Sequence, residues 1–155
     1  MARYRASLYT TLPPEETFAY LSDFANAQQW DPGVTEASRL DAGDIGEGSQ
    51  FRLLARFLGR TVPITYRIVE YDPPAAVTFL GENATVTSRD RISFEPAGEG
   101  TAVAYDAELA LKGPLRLADP LLGLAFKRVG DRALAGLRAK LGEQSTSGAS
   151  RVKAR

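Results

Sequence analysis

The 155 residues make one ordinary domain, long enough to bury a core, with 44% hydrophobic and 25% charged residues. The chain has neither cysteine nor histidine. That excludes disulfides, thiolate chemistry and cysteine metal sites, points away from metal catalysis, and leaves acid–base work to carboxylates, tyrosines and lysines.

The formal charge is zero but unevenly divided: residues 112–155 hold ten Lys/Arg against three Asp/Glu, and residues 1–111 hold nine against sixteen. One reading is a helix with cations near its C-terminus, where the dipole favours them, followed by a solvated basic tail. The other is a basic surface facing an anionic partner or a membrane. No nucleic-acid partner is expected, because no recognised motif accompanies the charge. No apolar run reaches roughly 18 residues, the length of a membrane span. The N-terminus enters a strand-like pattern directly, which favours the cytoplasm.

In chain order, residues 3–12 alternate as a first strand, with Tyr4, Ala6, Leu8 and Thr10 on one side. Pro13-Pro14-Glu15-Glu16 starts a short helix, since proline and acids belong in a first turn. Phe18, Leu21 and Phe24 form its apolar side. A second short helix reaches Trp30 and ends at Asp31-Pro32-Gly33. Six further strands are predicted: Val34–Asp41, Ser49–Leu58, Thr61–Tyr71, Ala76–Leu80, Val86–Phe94 and Thr101–Leu111. Short Gly- and Pro-rich turns separate them, Gly81-Glu82-Asn83 among these, so the sheet is an antiparallel meander.

The stretch from Gly113 to Gly142 is one long amphipathic helix, continuous from Asp119-Pro120, a cap followed by proline at the first helical position. Leu115, Ala118, Leu122, Ala125, Phe126, Val129, Ala133 and Leu137 recur at three and four residues on one face, opposite Arg116, Lys127, Asp131 and Arg138. A second stripe, Leu117, Leu121 and Leu124, lies off that face. It leaves open packing on the end strands, a homodimer contact or a transient membrane-surface contact. Residues 1–143 thus form the folded domain. Residues 144–155, rich in Ser, Gly and Arg, read as a disordered basic tail.

This is an α+β chain: one strand, two short helices, six strands and a long helix. A one-faced sheet of about seven strands must bury its apolar side, and the helix supplies the matching face. A strongly twisted sheet cannot meet one helix everywhere, so a cavity is expected between them. The element order resembles the helix-grip fold of the START-like superfamily, the polyketide cyclase/dehydrase and lipid-transport proteins often called SRPBCC. Local phrases resemble that family too: Pro13 to Asp23 followed by Trp30-Asp31-Pro32, then Gly48-Ser49-Gln50-Phe51, Glu70-Tyr71-Asp72-Pro73-Pro74, Phe94-Glu95-Pro96 and Leu111-Lys112-Gly113-Pro114. The resemblance covers residues 3–141. It implies a strongly curved antiparallel sheet wrapped around the C-terminal helix, and it spans binding proteins, carriers, cyclases and hydrolases.

Phase selects the candidate site. Asp90 shares a strand face with Val86, Ser88, Ile92 and Phe94. A carboxylate facing an apolar cavity has a raised pKa and can serve as acid or base; the alternative is one tied to Arg67, Arg52 or the backbone. Tyr66 and Tyr105 share the apolar phase of their strands and can orient a ligand carbonyl. Glu70 falls in phase with them, but its place near the strand end leaves open that it already faces water. Trp30, Phe51, Leu53, Phe57 and Ile64, with Leu122, Phe126 and Val129 from the helix, complete the expected binding residues.

The function that follows is binding or transport of a small hydrophobic molecule in an internal cavity. One alternative is a cofactor-free cyclase or dehydratase (a lyase or isomerase) with Asp90 as acid/base and Tyr66 and Tyr105 polarising a carbonyl. Another is an interaction protein using Leu117, Leu121 and Leu124. No cofactor and no metal is implied.

Overall fold

The computed structural model describes residues 2–57, 59–114 and 119–153; within the last segment side chains are described for residues 122–142. Seven strands, β1 (Ala2–Thr10), β2 (Val34–Arg39), β3 (Gln50–Phe57), β4 (Arg60–Asp72), β5 (Ala76–Glu82), β6 (Val86–Ala97) and β7 (Gly100–Leu111), form one antiparallel sheet. Its order is β1-β7-β6-β5-β4-β3-β2. The meander β2 to β7 runs across the sheet, and β1 closes onto β7, pairing Ala2 with Leu109 through Thr10 with Thr101. Between β1 and β2 lie α1 (Pro14–Ser22), a 3₁₀ turn at Phe24–Asn26, and α2 (Ala27–Trp30). The long helix α3 spans Asp119–Lys153 and lies against β1, β7 and α2. The sheet curls around α3, which is the helix-grip arrangement.

Alternation drives the sheet. On β3 Phe51 and Leu53 are buried between exposed Gln50 and Arg52; on β6 Val86, Ser88, Asp90, Ile92 and Phe94 are buried while Arg89 and Arg91 are exposed. Each large side chain so buried contributes roughly 1.5–3 kcal/mol. Phe24 fixes the short-helix corner to the sheet, stacked on Phe79 at a centroid distance of 4.0 Å and edge-on to Tyr66 at 5.0 Å. On α3, Leu122, Leu137 and Leu141 are buried, and Phe126 and Ala133 pack partly buried against the same core. Leu115 and Ala118 of the predicted face, and Leu117 and Leu121 of the second stripe, lie outside the described side chains. Leu124 is 58% exposed.

One sequence expectation is corrected here. Gly81 lies within β5, not in a turn; the turn is made by Asn83, whose Oδ1 accepts the Thr85 and Val86 N–H groups at 2.8 and 2.9 Å. A Cβ on Gly81 would run into the Tyr66 ring, so this glycine makes room for a side chain. In β4 the register shifts between Ile68 and Glu70. Such a shift flips the residues beyond it to the opposite face. Glu70 therefore accepts from Thr78 (2.7 Å) and pairs with Arg91 (3.0 Å) on the outer face, while Tyr71 turns in against Phe18.

Candidate functional site

The curl of the sheet leaves a cavity of about 130 Å³ between it and α3. Its walls are mostly apolar: Leu53, Ala55 and Phe57 from β3, Val62 and Ile64 from β4, Ala107 and Leu109 from β7, and Phe126, Val129, Ala133, Leu134 and Leu137 from α3. Phe24, Ala27 and Trp30 close the end beneath the short helices. Trp30 is buried and meets the Tyr105 ring edge-on at 6.3 Å. Tyr4 of β1 lines the opposite wall and donates its hydroxyl to Asp131 at 2.8 Å; its ring lies where a side chain on Gly130 would be, so the glycine admits it. Burial, helped by Asp131, pushes the Tyr4 phenol up to about 12.

The polar groups gather on one side. Asp90 is buried, and pairing across the sheet places it between Phe79 and Ala107. Ser88 Oγ donates to its Oδ1 at 2.7 Å, and the Tyr105 hydroxyl donates to its Oδ2 at 2.6 Å. Tyr66 lines the cavity with them. Burial pushes the Asp90 carboxyl up, and the Tyr105 and Ser88 hydroxyls partly offset this by favouring the charged form. Burial and the neighbouring Asp90 charge push both the Tyr66 and the Tyr105 phenols up, so both remain proton donors at neutral pH. The expected arginine partners are corrected: Arg52 and Arg67 are exposed on the other face, as β3 and β4 alternation requires, and the partners of Asp90 are hydroxyls.

Of the residues expected at the site, Trp30, Leu53, Phe57, Ile64, Tyr66, Ser88, Asp90, Tyr105, Phe126 and Val129 line this one cavity. Phe51, Ile92 and Leu122 do not; they are buried at 0%, 0% and 2% exposure in the packed core beside it. Alternation reports the face of a strand, not the depth along it. The polar wall residues missed are Tyr4, Arg56 and Asp31. Asp31, at the end of α2, lines the cavity and also an outer groove with Trp30, Arg132, Gly136 and Lys140. Its Oδ1 accepts the Gly33 N–H at 2.8 Å. Burial, with a smaller contribution from the Asp90 charge, raises its carboxyl to about 6 despite that hydrogen bond. In sequence, Asp31 before Pro32-Gly33 reads as turn chemistry, and half of that is correct.

Among the described residues no cluster of carboxylates could hold a metal ion, and no helix is long and apolar enough to cross a membrane. The sheet and the helix grip agree with the sequence profile of the "polyketide cyclase / dehydrase and lipid transport" proteins, which matches residues 1–142. The chain belongs to that polyketide cyclase/dehydrase family. An uncharacterised Mycobacterium tuberculosis protein (Rv1546) is 29% identical over 120 residues, covering 74% of this chain and 83% of that protein. A START superfamily protein from Mycobacterium smegmatis superposes with a TM-score of 0.72 at 18% identity, covering 95% of this chain and 99% of that one. The ZhuI aromatase/cyclase from Streptomyces sp. R1128 superposes with a TM-score of 0.75 at 13% identity, covering 90% and 92%. At those identities the polyketide cyclase/dehydrase fold is shared, and chemistry is a separate question.

Proposed function

We propose that the protein binds a small hydrophobic molecule in the cavity between sheet and α3. The observation that carries this reading is a cavity of about 130 Å³ whose walls are mostly apolar, with polar groups at Ser88, Asp90, Tyr66, Tyr105, Asp31, Tyr4 and Arg56. An apolar cavity on the order of 150 Å³ takes a ligand such as benzene, so the ligand, or the part held inside, has about the size of one ring. Trp30 is the chain's only tryptophan and lies in the wall, which makes it a reporter. Titration with toluene should change Trp30 fluorescence saturably. Ala107→Leu, which fills the cavity from β7, should weaken binding roughly tenfold or more, about 1.4 kcal/mol, while the fold persists. Unsaturable fluorescence, or binding indifferent to Ala107→Leu, would exclude the cavity as the site.

A second reading, a cofactor-free cyclase or dehydratase, is favoured by the Tyr105–Asp90–Ser88 chain. A buried carboxyl with raised pKa can take a proton from carbon next to a carbonyl in its charged form. In its acid form it can give one to a departing hydroxyl. Turnover of a polyketide-like substrate by the wild type, lost in Asp90→Asn, is the result that would promote this reading over simple binding.

A further inference from the structure

Asp90 has a hydroxyl donating to each of its oxygens, from Ser88 and Tyr105. These three groups largely satisfy one another. Asp31 stands outside that set. One of its oxygens takes the Gly33 N–H; among the described residues, no hydrogen bond or ion pair occupies the other. Arg56 lines the same cavity, and Arg132 lines the outer groove that Asp31 also faces, yet among the described residues neither forms an ion pair with it. The cavity therefore presents two carboxylates on an apolar wall, one already hydrogen-bonded on both oxygens and the other with an open acceptor.

We infer that the polar end of the ligand is a protonated amine held by Asp31, with its apolar body of about one ring lying in the cavity against Phe126 and Val129. The inference rests on the cavity being the ligand site. An ammonium is all donor and no acceptor, so it fits a wall whose unfilled group is an acceptor. It also carries a charge opposite to that of the carboxylates, and such a charge-assisted pairing is stronger than a neutral hydrogen bond. The Trp30 and Tyr105 rings, edge-on to one another beside these carboxylates, add faces on which a cation is favoured. The raised Asp31 carboxyl is consistent with this, since a bound cation would relieve the burial penalty on its charged form. An alcohol would fill the acceptor but leave the charge uncompensated.

Three probes with the same ring separate these contributions: toluene, benzyl alcohol and benzylamine, titrated calorimetrically at about pH 7.5, where the amine is protonated and Asp31 is ionised. Benzylamine should bind roughly tenfold or more tighter than benzyl alcohol. Asp31→Asn, which keeps an acceptor for Gly33, should bring the amine down to the level of the alcohol and leave toluene unchanged. Asp31→Ser repeats the test should the first variant fold poorly. An amine bound no better than the alcohol, or a preference that survives in both Asp31 variants, overturns the assignment. So does a preference lost in Asp90→Asn but kept in Asp31→Asn. If none of the three probes binds the wild type, the cavity reading itself fails and takes this inference with it.

Discussion

Gly136 of α3 approaches the backbone carbonyl of Trp30 so closely that a Cβ there would collide with that oxygen and lie 3.3 Å from Pro32 Cδ. The helix is thereby seated against the residue that closes the cavity, at a position where only hydrogen fits. Gly123, on the same helix, has nothing within contact distance of its Cβ position.

The two glycines should respond oppositely to alanine. Gly123→Ala removes a poor helix former from an open site and should stabilise by about 0.5–1 kcal/mol. Gly136→Ala must push α3 off α2 and should destabilise by about 1–3 kcal/mol, the usual cost of overpacking. Denaturant melts of both variants check this. Equal shifts would mean that α3 does not sit this tightly on Trp30.

Stability should fall as pH rises from about 5 to about 7. Asp31 has a folded-state pKa of about 6, above its ordinary 3.8, so within that window the folded state holds more protons than the unfolded one. Raising pH then favours unfolding, by roughly 1 kcal/mol across the window for this one group. Asp90, raised by burial, acts in the same direction. Glu70 and Asp106 are lowered by their hydrogen-bonding and cationic partners, so the stability they add is lost only toward more acid pH. Thermal melts at pH 5 and 7 should differ by roughly 2–4 °C, and Asp31→Asn should remove much of that slope. A wild type whose midpoint rises through this window would contradict the placement of Asp31.

The hydroxyl chain makes a separate claim on Asp90. Tyr105→Phe removes one of its two donors and leaves a buried oxygen unpaired, which should cost about 1–3 kcal/mol. Asp90→Asn should weaken toluene by no more than one hydrogen bond, about 0.5–1.5 kcal/mol. Were Asp90 instead a general acid or base, the same substitution would cut turnover roughly a hundredfold while affinity stayed nearly intact. Isotherms beside rates, on both variants, decide between the two.

The fold was legible because its signals are repetitive: five inward residues in phase on β6, and leucines or phenylalanine at positions 122, 126 and 137 of α3. Single irregularities were not. Phase along β4 left Glu70 between the cavity and water, and one register shift puts it outside and Tyr71 in its place. Gly81 looked like a turn because a glycine gives the same letter whether it bends the chain or yields space to Tyr66. Asp31 escaped notice because a loop residue has no periodicity to place it. Its position depends on where α3 lies, more than 90 residues along the chain.

The helical backbone of α3 continues to Lys153, but the apolar spacing that holds it to the sheet ends at Leu141. The positions that would extend the buried face, Gln144, Ser145 and Gly148, offer almost no apolar area. A helix there has no intrinsic reason to persist on its own, since short isolated helices are marginal in water. Residues 145–155 should therefore be dispensable to the domain. Deleting them removes Arg151, Lys153 and Arg155 along with polar residues, and should leave the thermal midpoint within about 2 °C of the full chain, a shift worth well under 1 kcal/mol at this size. Toluene affinity should be unchanged as well, because the cavity wall on α3 ends at Leu137. A markedly lower midpoint, or a weakened ligand, would show that the tail docks on the fold.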